Sequence, residues 1–204
     1  VGEWATTSLW EGKGNRLTAL SEIHFPHSLG LLYSAFTFYC GFKVNSGEYK
    51  LMGLAPYGKP IYRDVLLKEI LEIKDNGRYK LNTAVVDYHD ALEGSFGDGI
   101  SKLLGSPRRQ GEPITDLHKN IAASVQAVFE EAVANMIRIG GHKYPDVSNL
   151  CIVGGCALNV VANAKALEFS GVDNVFVPPA PHDAGCAIGA AIIGYQRFGG
   201  DGRP

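Results

Sequence analysis

Hydrophobic and polar positions partly alternate along the first segment of the chain and predict a β-hairpin. Residues 3–11 and 16–25 carry this pattern, and the Gly-Lys-Gly-Asn sequence between them is typical of a turn. The pattern changes after Ser28, where apolar residues recur every three or four positions up to Tyr39. This spacing predicts a helix, and the Ser28 hydroxyl is expected to cap it.

The middle of the chain is less regular until one long amphipathic segment begins. Residues 53–60 are rich in glycine and proline and are interpreted as a loop, residues 62–73 predict a helix, and residues 75–115 are interpreted as an irregular excursion. From Thr115 to Ile139, apolar residues recur at helical spacing and give the strongest helix prediction in the chain. Gly140-Gly141 is expected to end that helix.

Strand-like and helix-like segments alternate in the last part of the chain. Residues 149–153 and 174–177 are short apolar runs typical of buried strands. Each is followed by a turn rich in glycine or proline and then by a helical pattern, at 158–169 and 183–195. This order predicts an α/β fold with parallel strand pairing.

Composition and charge narrow the classes of function. The chain has 204 residues, of which 46% are hydrophobic and 20% charged, with a net charge of −2. These values are typical of a globular domain that buries a core, and the balanced charge makes nucleic acid an unlikely partner. The longest uncharged apolar stretch, 184–195, is far shorter than the roughly 20 residues of a membrane span, so no membrane association is expected.

The cysteines lie in strand-like or helix-like segments and show no Cys-x-x-Cys spacing. They are Cys40, Cys151, Cys156 and Cys186. Reduced, buried thiols in a cytoplasmic protein are therefore expected, rather than disulfides or a zinc site.

Gly154 and Gly155 directly follow the first of the C-terminal strand segments. Because they lack a Cβ, a ligand can approach their backbone closely, and the start of the next helix favours phosphate or the edge of a nucleotide. Asn159, in that helix, is a candidate hydrogen-bonding partner of a nucleotide. A tight structural turn explains the same glycines, and neither a Walker A nor a Gly-x-Gly-x-x-Gly pattern is present.

His182 and Asp183 follow the second strand segment, after a proline-rich turn. Asp183 is placed either to cap the next helix or to bind a metal at the carboxyl end of a strand. His182 is a candidate catalytic residue, with an ordinary turn histidine as the alternative. We expect this turn and the Gly154-Gly155 turn to line one cleft.

Glu48 and Lys50 lie beside a glycine break and are candidate nucleotide-binding residues, since a carboxylate accepts hydrogen bonds from two ribose hydroxyls. A solvated Glu/Lys pair explains the same two residues.

Arg108-Arg109 is interpreted mainly as a solvated pair, with contact to an anion as the alternative. The other histidines lack metal-ligand spacing and are interpreted as structural or surface residues.

Six long motifs, in this order, resemble the carbamoyltransferase family of nodulation and antibiotic-tailoring enzymes. They are VGEWATTSLW, PHSLGLLYSAFTFYCGF, GEYKLMGLAPYG, IAASVQAVFEEAV, VGGCALNVVANAK and VFVPPAPHDAGCAIGAA. The resemblance covers nearly the whole chain and is weakest over 75–115. It implies transfer of a carbamoyl group to a hydroxyl of a sugar or natural product.

The resemblance also implies a fold and a reaction partner. The implied fold is the actin/sugar-kinase/Hsp70-like (ribonuclease H-like) α/β fold, with a mixed sheet covered by helices and with 1–204 as the second half of one domain. The implied reaction uses a carbamoyl-adenylate, made in a separate domain from carbamoyl phosphate and ATP. That intermediate would be consumed near a divalent metal, iron or a magnesium-like ion.

By matched motif, the resemblance assigns roles to residues of this sequence. Gly154, Gly155 and Asn159 would hold the adenylate, and Glu48 would hold its ribose. Asp183 would be a metal ligand.

The N-terminal residues Gly2 and Glu3 would be the end of a phosphate-side Asp-Gly-x-Gly-Glu turn. The family pattern also has a His-x-x-x-His pair and an adenylate-forming domain, and this sequence contains neither. We therefore expect this chain to be part of a longer polypeptide whose missing half completes the metal site. We also expect the chain alone to be inactive, because one carboxylate does not hold a catalytic metal tightly.

Two other functions stay open. The first is threonylcarbamoyl transfer to tRNA adenosine, although the final motif of that family reads Asp-Asn-Ala where this chain has His182-Asp183-Ala184-Gly185. The second is an ATP-binding or assembly module without transfer activity. If the chain does not bind nucleotide, a purely structural role is favoured.

Overall fold

A computed structural model describes residues 4–86, 98–109 and 111–199 of the chain and shows a mixed α/β architecture. The strands are β1 (Ala5–Lys13), β2 (Arg16–His24), β3 (Leu71–Ile73), β4 (Tyr79–Leu81), β5 (Asn149–Cys151) and β6 (Asn174–Phe176). The α-helices are α1 (Leu29–Tyr39), α2 (Glu48–Leu54), α3 (Arg63–Glu69), α4 (Asp98–Leu104), α5 (Asp116–Lys143), α6 (Val160–Ser170) and α7 (Gly185–Arg197). The described strands form small two-stranded sheets, β1–β2, β3–β4 and β5–β6.

The predicted hairpin and the helix after it are confirmed. Strands β1 and β2 pair antiparallel, with Lys13 opposite Arg16 at the turn. The Ser28 hydroxyl accepts a hydrogen bond from the Leu31 amide at 3.2 Å, as expected of an N-cap residue. These elements form where local pattern and capping chemistry agree.

The hydrophobic core joins α1 and α5 with buried side chains of α2, α3, β3 and β4. The ring of Tyr33 meets that of Phe129 edge-on, with centroids 5.4 Å apart. The other buried side chains of these two helices include Leu32, Phe36, Ile121, Val125 and Val128. Each such side chain contributes about 1.5–3 kcal/mol through burial, so the α1–α5 contact is a main source of stability.

Helix α5 is longer than predicted, because the Gly140-Gly141 pair lies inside it rather than ending it. A Cβ at position 141 would lie 2.4 Å from the carbonyl oxygen of Ser170, the last residue of α6. The second glycine therefore allows α6 to approach α5 closely. The prediction of a helix end was wrong because the sequence gives no sign of this distant contact.

The predicted loop at 53–60 was wrong over its first half. Gly53 lies in α2, and Ala55–Tyr57 continue as a 3-10 helical turn. Pro56 is tolerated there because the first positions of a helical turn need no amide hydrogen bond.

The predicted helix at 62–73 is shorter than expected, since its last residues form β3. Leu71 pairs with Leu81 of β4, and both side chains are almost fully buried. This pairing between separate segments overrides the local helical pattern. The segment 75–115 is therefore more regular than predicted, with β4 and α4 in it, and residues 87–97 and 110 lie outside the described part.

The predicted α/β unit near the C-terminus is confirmed. Strands β5 and β6 are parallel, with Asn149 opposite Asn174, and α6 connects them. A 3-10 helical turn at Gly155–Leu158 precedes α6, so that helix begins later than predicted.

Helix α7 has no buried residue among the described residues, although much of it is apolar. Ile193 is 55% exposed, and Phe198, just after the helix, is 93% exposed. Phe176 at the end of β6 is also largely exposed. This C-terminal unit therefore presents an apolar surface that no other described element covers.

The expectation of buried thiols holds for Cys40 and was wrong for the other three cysteines, which are exposed. Cys151 lies in β5 and Cys186 in α7, elements that the rest of the described chain leaves uncovered. Burial raises the pKa of the Cys40 thiol to about 12, so that thiol is protonated at neutral pH. No helix within the described ranges is both long and apolar enough to cross a membrane.

Candidate functional site

The chain leaves β5 through Gly154 and Gly155, here called the glycine turn. Gly154 has φ +100° and ψ 169°, a conformation that residues with a side chain rarely adopt. A Cβ built at either glycine would have no heavy atom of a non-neighbouring described residue within 4 Å. The backbone of this turn therefore faces open space that a ligand can enter.

The chain leaves β6 through residues 178–183, here called the proline turn. Gly185, which follows it, permits a tight return, because a Cβ there would lie 2.2 Å from the Ala180 carbonyl oxygen. The side chains of His182 and Asp183 at the end of the turn are exposed. No side chain caps the start of α7, so the capping role considered for Asp183 is not adopted here.

The two turns touch each other. The amide of Gly154 donates a hydrogen bond to the carbonyl oxygen of Pro181 at 2.6 Å. Both turns follow strands of the same parallel pair, which places them at one edge of that sheet. The structure thus brings the glycine turn and Asp183 together at an exposed edge.

Asn159, in contrast, is 8% exposed and is held by internal hydrogen bonds. Its Oδ1 accepts from the Ala162 amide at 3.0 Å and so caps α6. Its amide also pairs with the amide of Gln126, at 3.0 and 2.9 Å. Asn159 therefore anchors α6 to α5, and its contact with a nucleotide stays a prediction.

Glu48 is held in a similar way at the start of α2. Its Oε1 accepts hydrogen bonds from the Ser34 hydroxyl at 2.8 Å and the Asn45 amide at 2.9 Å. Its Oε2 accepts from the Gly47 amide at 3.1 Å. Lys50 is exposed, as a solvated residue would be, but both residues lie in the first turn of α2 rather than in a loop.

The sequence matches the family model described as "Carbamoyltransferase N-terminus" over residues 1–192. The chain belongs to the carbamoyltransferase family. The match covers the glycine turn, the proline turn and the whole N-terminal part, so it does not depend on one short motif.

Three curated relatives are similar to this chain over nearly its whole length. An uncharacterized protein of Synechocystis sp. is 52% identical over 201 residues. Nodulation protein NolNO of Sinorhizobium fredii is 35% identical over 198 residues, and nodulation protein NolO of Bradyrhizobium diazoefficiens is 33% identical over 198 residues. Each alignment covers 97% of this chain but only 32%, 27% and 34% of these relatives. The chain thus spans about a third of the length of these relatives.

Asp183 is the candidate metal ligand of this chain. Its carboxylate is exposed, and such a donor suits a hard divalent cation. However, no group of three or more metal-binding side chains occurs in the described part of the chain. Within the described residues Asp183 is therefore a single candidate ligand and not part of a complete centre.

Two predictions about arginine and the N-terminus have different outcomes. Gly2 and Glu3, the predicted phosphate-side residues, lie outside the described residues.

Arg108 does not form a solvated pair, since its guanidinium donates to the carbonyl oxygens of Cys40, Gly41 and Glu112 at 2.6, 3.1 and 2.6 Å. The Arg108 side chain thus connects the backbone just after α1 with the backbone at Glu112, before α5.

Sequence reasoning missed Tyr33, Ser34 and Gln126, which contact the predicted site residues. The Tyr33 hydroxyl donates to Gln126 Oε1 at 2.8 Å. Gln126 gave one signal, a polar side chain on the otherwise apolar face of α5. Such a residue is buried only when its amide is satisfied, so its position in the pattern indicates a buried hydrogen-bond network.

Proposed function

We propose that this chain is part of an O-carbamoyltransferase that moves a carbamoyl group from a carbamoyl-adenylate to a hydroxyl of a sugar or natural product. The adenylate would be made from carbamoyl phosphate and ATP. Membership in the carbamoyltransferase family supports the reaction class. The observation that carries the site is the Gly154–Pro181 hydrogen bond, because it joins an open glycine backbone to the turn that carries the exposed Asp183.

In this proposal the glycine turn holds the nucleotide. Its open backbone lets a phosphate or a ribose approach to van der Waals distance, which a side chain would prevent. Glu48 contacts the ribose hydroxyls, and the three hydrogen bonds that it accepts fix its carboxylate in one orientation. Lys50, exposed on the same helix, contributes a positive charge near the nucleotide.

The transfer step is an acyl transfer. The acceptor hydroxyl oxygen attacks the carbamoyl carbon, and the bond between that carbon and the phosphate oxygen of the adenylate breaks. AMP leaves with the bonding electrons, and the hydroxyl proton passes to a base. A divalent metal, bound with Asp183 as one ligand, would supply positive charge that stabilises the developing negative charge.

His182 is the candidate group for handling a proton or orienting the acceptor. Its Nδ1 accepts a long hydrogen bond of 3.4 Å from the Ala184 amide. In a neutral imidazole with Nδ1 as acceptor, Nε2 carries the proton and acts as a donor. This tautomer favours His182 as a hydrogen-bond donor to the substrate over His182 as the base, and unchanged transfer by the His182→Ala variant would remove it from the mechanism.

We further propose that 1–204 is the second half of an actin/Hsp70-like domain in a cytoplasmic enzyme, and that the rest of the polypeptide covers α7. A two-stranded parallel sheet with an exposed apolar helix is incomplete as an α/β fold, because parallel sheets are normally covered on both faces. The length of the relatives, about three times that of this chain, supports a covering segment within one polypeptide.

The proposed function is tested with the full-length gene product and two matched substitutions. Asp183→Asn removes the exposed carboxylate beside the glycine turn, and Asp173→Asn removes an exposed carboxylate before β6. With ATP, carbamoyl phosphate and a hydroxyl acceptor, we expect Asp183→Asn to slow AMP release and carbamoyl transfer by about a hundredfold, the scale of losing one charge-stabilising group. We expect Asp173→Asn to match the unsubstituted protein.

Equal transfer rates for the two variants would contradict the role of Asp183. Absence of carbamoyl transfer by the full-length protein, combined with ATP binding, would favour a non-catalytic nucleotide-binding module. The isolated 204-residue chain is expected to show no turnover under the same conditions, because it supplies only one ligand of the metal.

A further inference from the structure

Helix α1 reaches two of the predicted nucleotide contacts through neighbouring residues. Ser34 Oγ donates a hydrogen bond to Glu48 Oε1 at 2.8 Å. Tyr33 Oη donates to Gln126 Oε1 at 2.8 Å, and the Gln126 amide is paired with that of Asn159. One turn of a single helix therefore connects Glu48 with Asn159.

The Gln126 amide uses all of its hydrogen-bonding positions in this network. Its Oε1 accepts from Tyr33 and Asn159, and its Nε2 donates to Asn159 and to Glu130, the latter at 2.7 Å. Gln126 is only 5% exposed. Because every position is satisfied away from water, the network favours one orientation of the Asn159 side chain. Asn159 in turn caps the start of α6, and its backbone amide donates to the Cys156 carbonyl oxygen, in the segment that follows the glycine turn.

Tyr33 is suited to anchoring this network. Its ring packs against Phe129, and its side chain is buried. Burial, and then the nearby negative charge of Glu130, raise the pKa of Tyr33 above its usual value. The hydroxyl is therefore protonated at neutral pH and remains a donor to Gln126.

We propose that Tyr33, Ser34 and Gln126 are positioning residues of the nucleotide site, and that they hold Glu48 and the glycine turn in a fixed relation through α1. None of the three is proposed to touch the nucleotide. This inference rests on the proposed function, because it presupposes that a nucleotide binds at this site.

The first test separates ribose recognition from overall folding. Affinity for AMP, the nucleotide that leaves in the transfer step, and for 2′,3′-dideoxy-AMP is measured by calorimetry on the full-length gene product and on its Ser34→Ala variant. We expect the unsubstituted protein to prefer AMP, and we expect this preference to be about tenfold smaller in Ser34→Ala, because Glu48 loses a hydrogen bond that orients its carboxylate. A preference that Ser34→Ala leaves unchanged would overturn the role of Ser34.

The second test compares two tyrosines of α1. Tyr33→Phe removes the hydroxyl that bonds Gln126, and Tyr39→Phe removes a hydroxyl shared between the Leu104 and Gly105 carbonyl oxygens, at 2.9 and 3.0 Å. Both variants keep their rings and lose one hydroxyl donor, so similar losses of thermal stability are expected. We expect Tyr33→Phe to weaken binding of both nucleotides by about three- to tenfold, and Tyr39→Phe to leave it unchanged. Equal affinities in the two variants would overturn the proposal.

The outcomes distinguish this inference from the proposed function. If the unsubstituted protein binds neither nucleotide, the proposed nucleotide site is wrong, and the positioning role is wrong with it. If it binds AMP with a ribose preference that the Ser34 and Tyr33 variants retain, the nucleotide site stands and only the positioning role is overturned.

Discussion

Arg108 joins the segment before α5 to the end of α1, and His118 caps the start of α5. The Arg108 side chain donates to two carbonyl oxygens just after α1, those of Cys40 and Gly41. His118, in the first turn of α5, accepts a hydrogen bond on Nδ1 from the Thr115 amide at 3.0 Å. A histidine thus takes the position that glutamate or glutamine occupies in an ordinary capping box.

This use of histidine predicts that stability falls in acid. Burial, and then the positive charge of Arg108, lower the pKa of His118, and burial and two lysines likewise lower the pKa of His27. The unfolded chain therefore takes up protons at a higher pH than the folded chain does. The stabilisation is complete above the unfolded value near 6.5 and is lost as the pH falls from there through the lower folded-state pKa.

His118→Gln is expected to remove part of this acid sensitivity, because glutamine keeps the capping box and does not titrate. The measurement is the free energy of unfolding by urea at several pH values between about 7.5 and 5. His142→Gln, at an exposed position near the end of the same helix, is the control and should keep the slope of the unsubstituted chain. Identical slopes for all three proteins would refute the role of His118.

At the scale of elements, the contact between α5 and α6 depends on one of two adjacent glycines. An added Cβ at position 141 would lie 2.4 Å from the Ser170 carbonyl oxygen. At position 140 the nearest atom, in the side chain of Leu9, would be at an ordinary 3.7 Å. Substitution of Gly141 and substitution of Gly140 are therefore expected to change the stability of the chain differently.

Gly141→Ala is expected to destabilise the chain by about 1–3 kcal/mol, because α6 must move away from α5. Gly140→Ala is expected to stabilise it by about 0.5 kcal/mol, since alanine has the higher helix propensity. Thermal unfolding of the two variants measures both effects. If both substitutions changed the stability in the same direction, the close approach of α6 would not be what limits substitution at position 141.

The elements that the sequence predicted well depend on local chemistry. The hairpin, the Ser28 cap and the parallel β5–β6 unit follow from alternation, capping and turn residues that are close in sequence. The end of α5 and the strand β3 were not predicted, because they depend on Ser170 and on β4, which are far away along the chain. Helical spacing of apolar residues alone did not show where α5 ends or that residues 71–73 form a strand.

At the scale of the whole molecule, the two halves of the described structure differ in burial. The N-terminal part and α5 enclose a core, whereas α7 and the β5–β6 pair leave apolar side chains exposed. The candidate site lies at the edge of this uncovered unit. This place agrees with our proposal that a further part of the polypeptide covers the site.

The sequence also predicted part of the site. The glycine turn and the proline turn were expected together because each follows a strand of one parallel pair, and the structure joins them by a hydrogen bond. The internal partners of Glu48 and Asn159 were not predicted, since Ser34 and Gln126 come from other helices. Residue type and spacing indicated the candidates, but only the packing of α1 and α5 shows what holds them.

A nucleotide that lies against the backbone of the glycine turn would be displaced by the Gly155→Leu substitution. A Cβ at this position meets no heavy atom within 4 Å, so the variant is expected to fold with nearly the melting temperature of the unsubstituted protein. The leucine side chain would occupy the volume that the nucleotide needs. Binding of AMP, the nucleotide that leaves in the transfer step, to the full-length gene product is therefore expected to weaken by about tenfold or more. Equal AMP affinity in a folded Gly155→Leu protein would show that the nucleotide does not lie there.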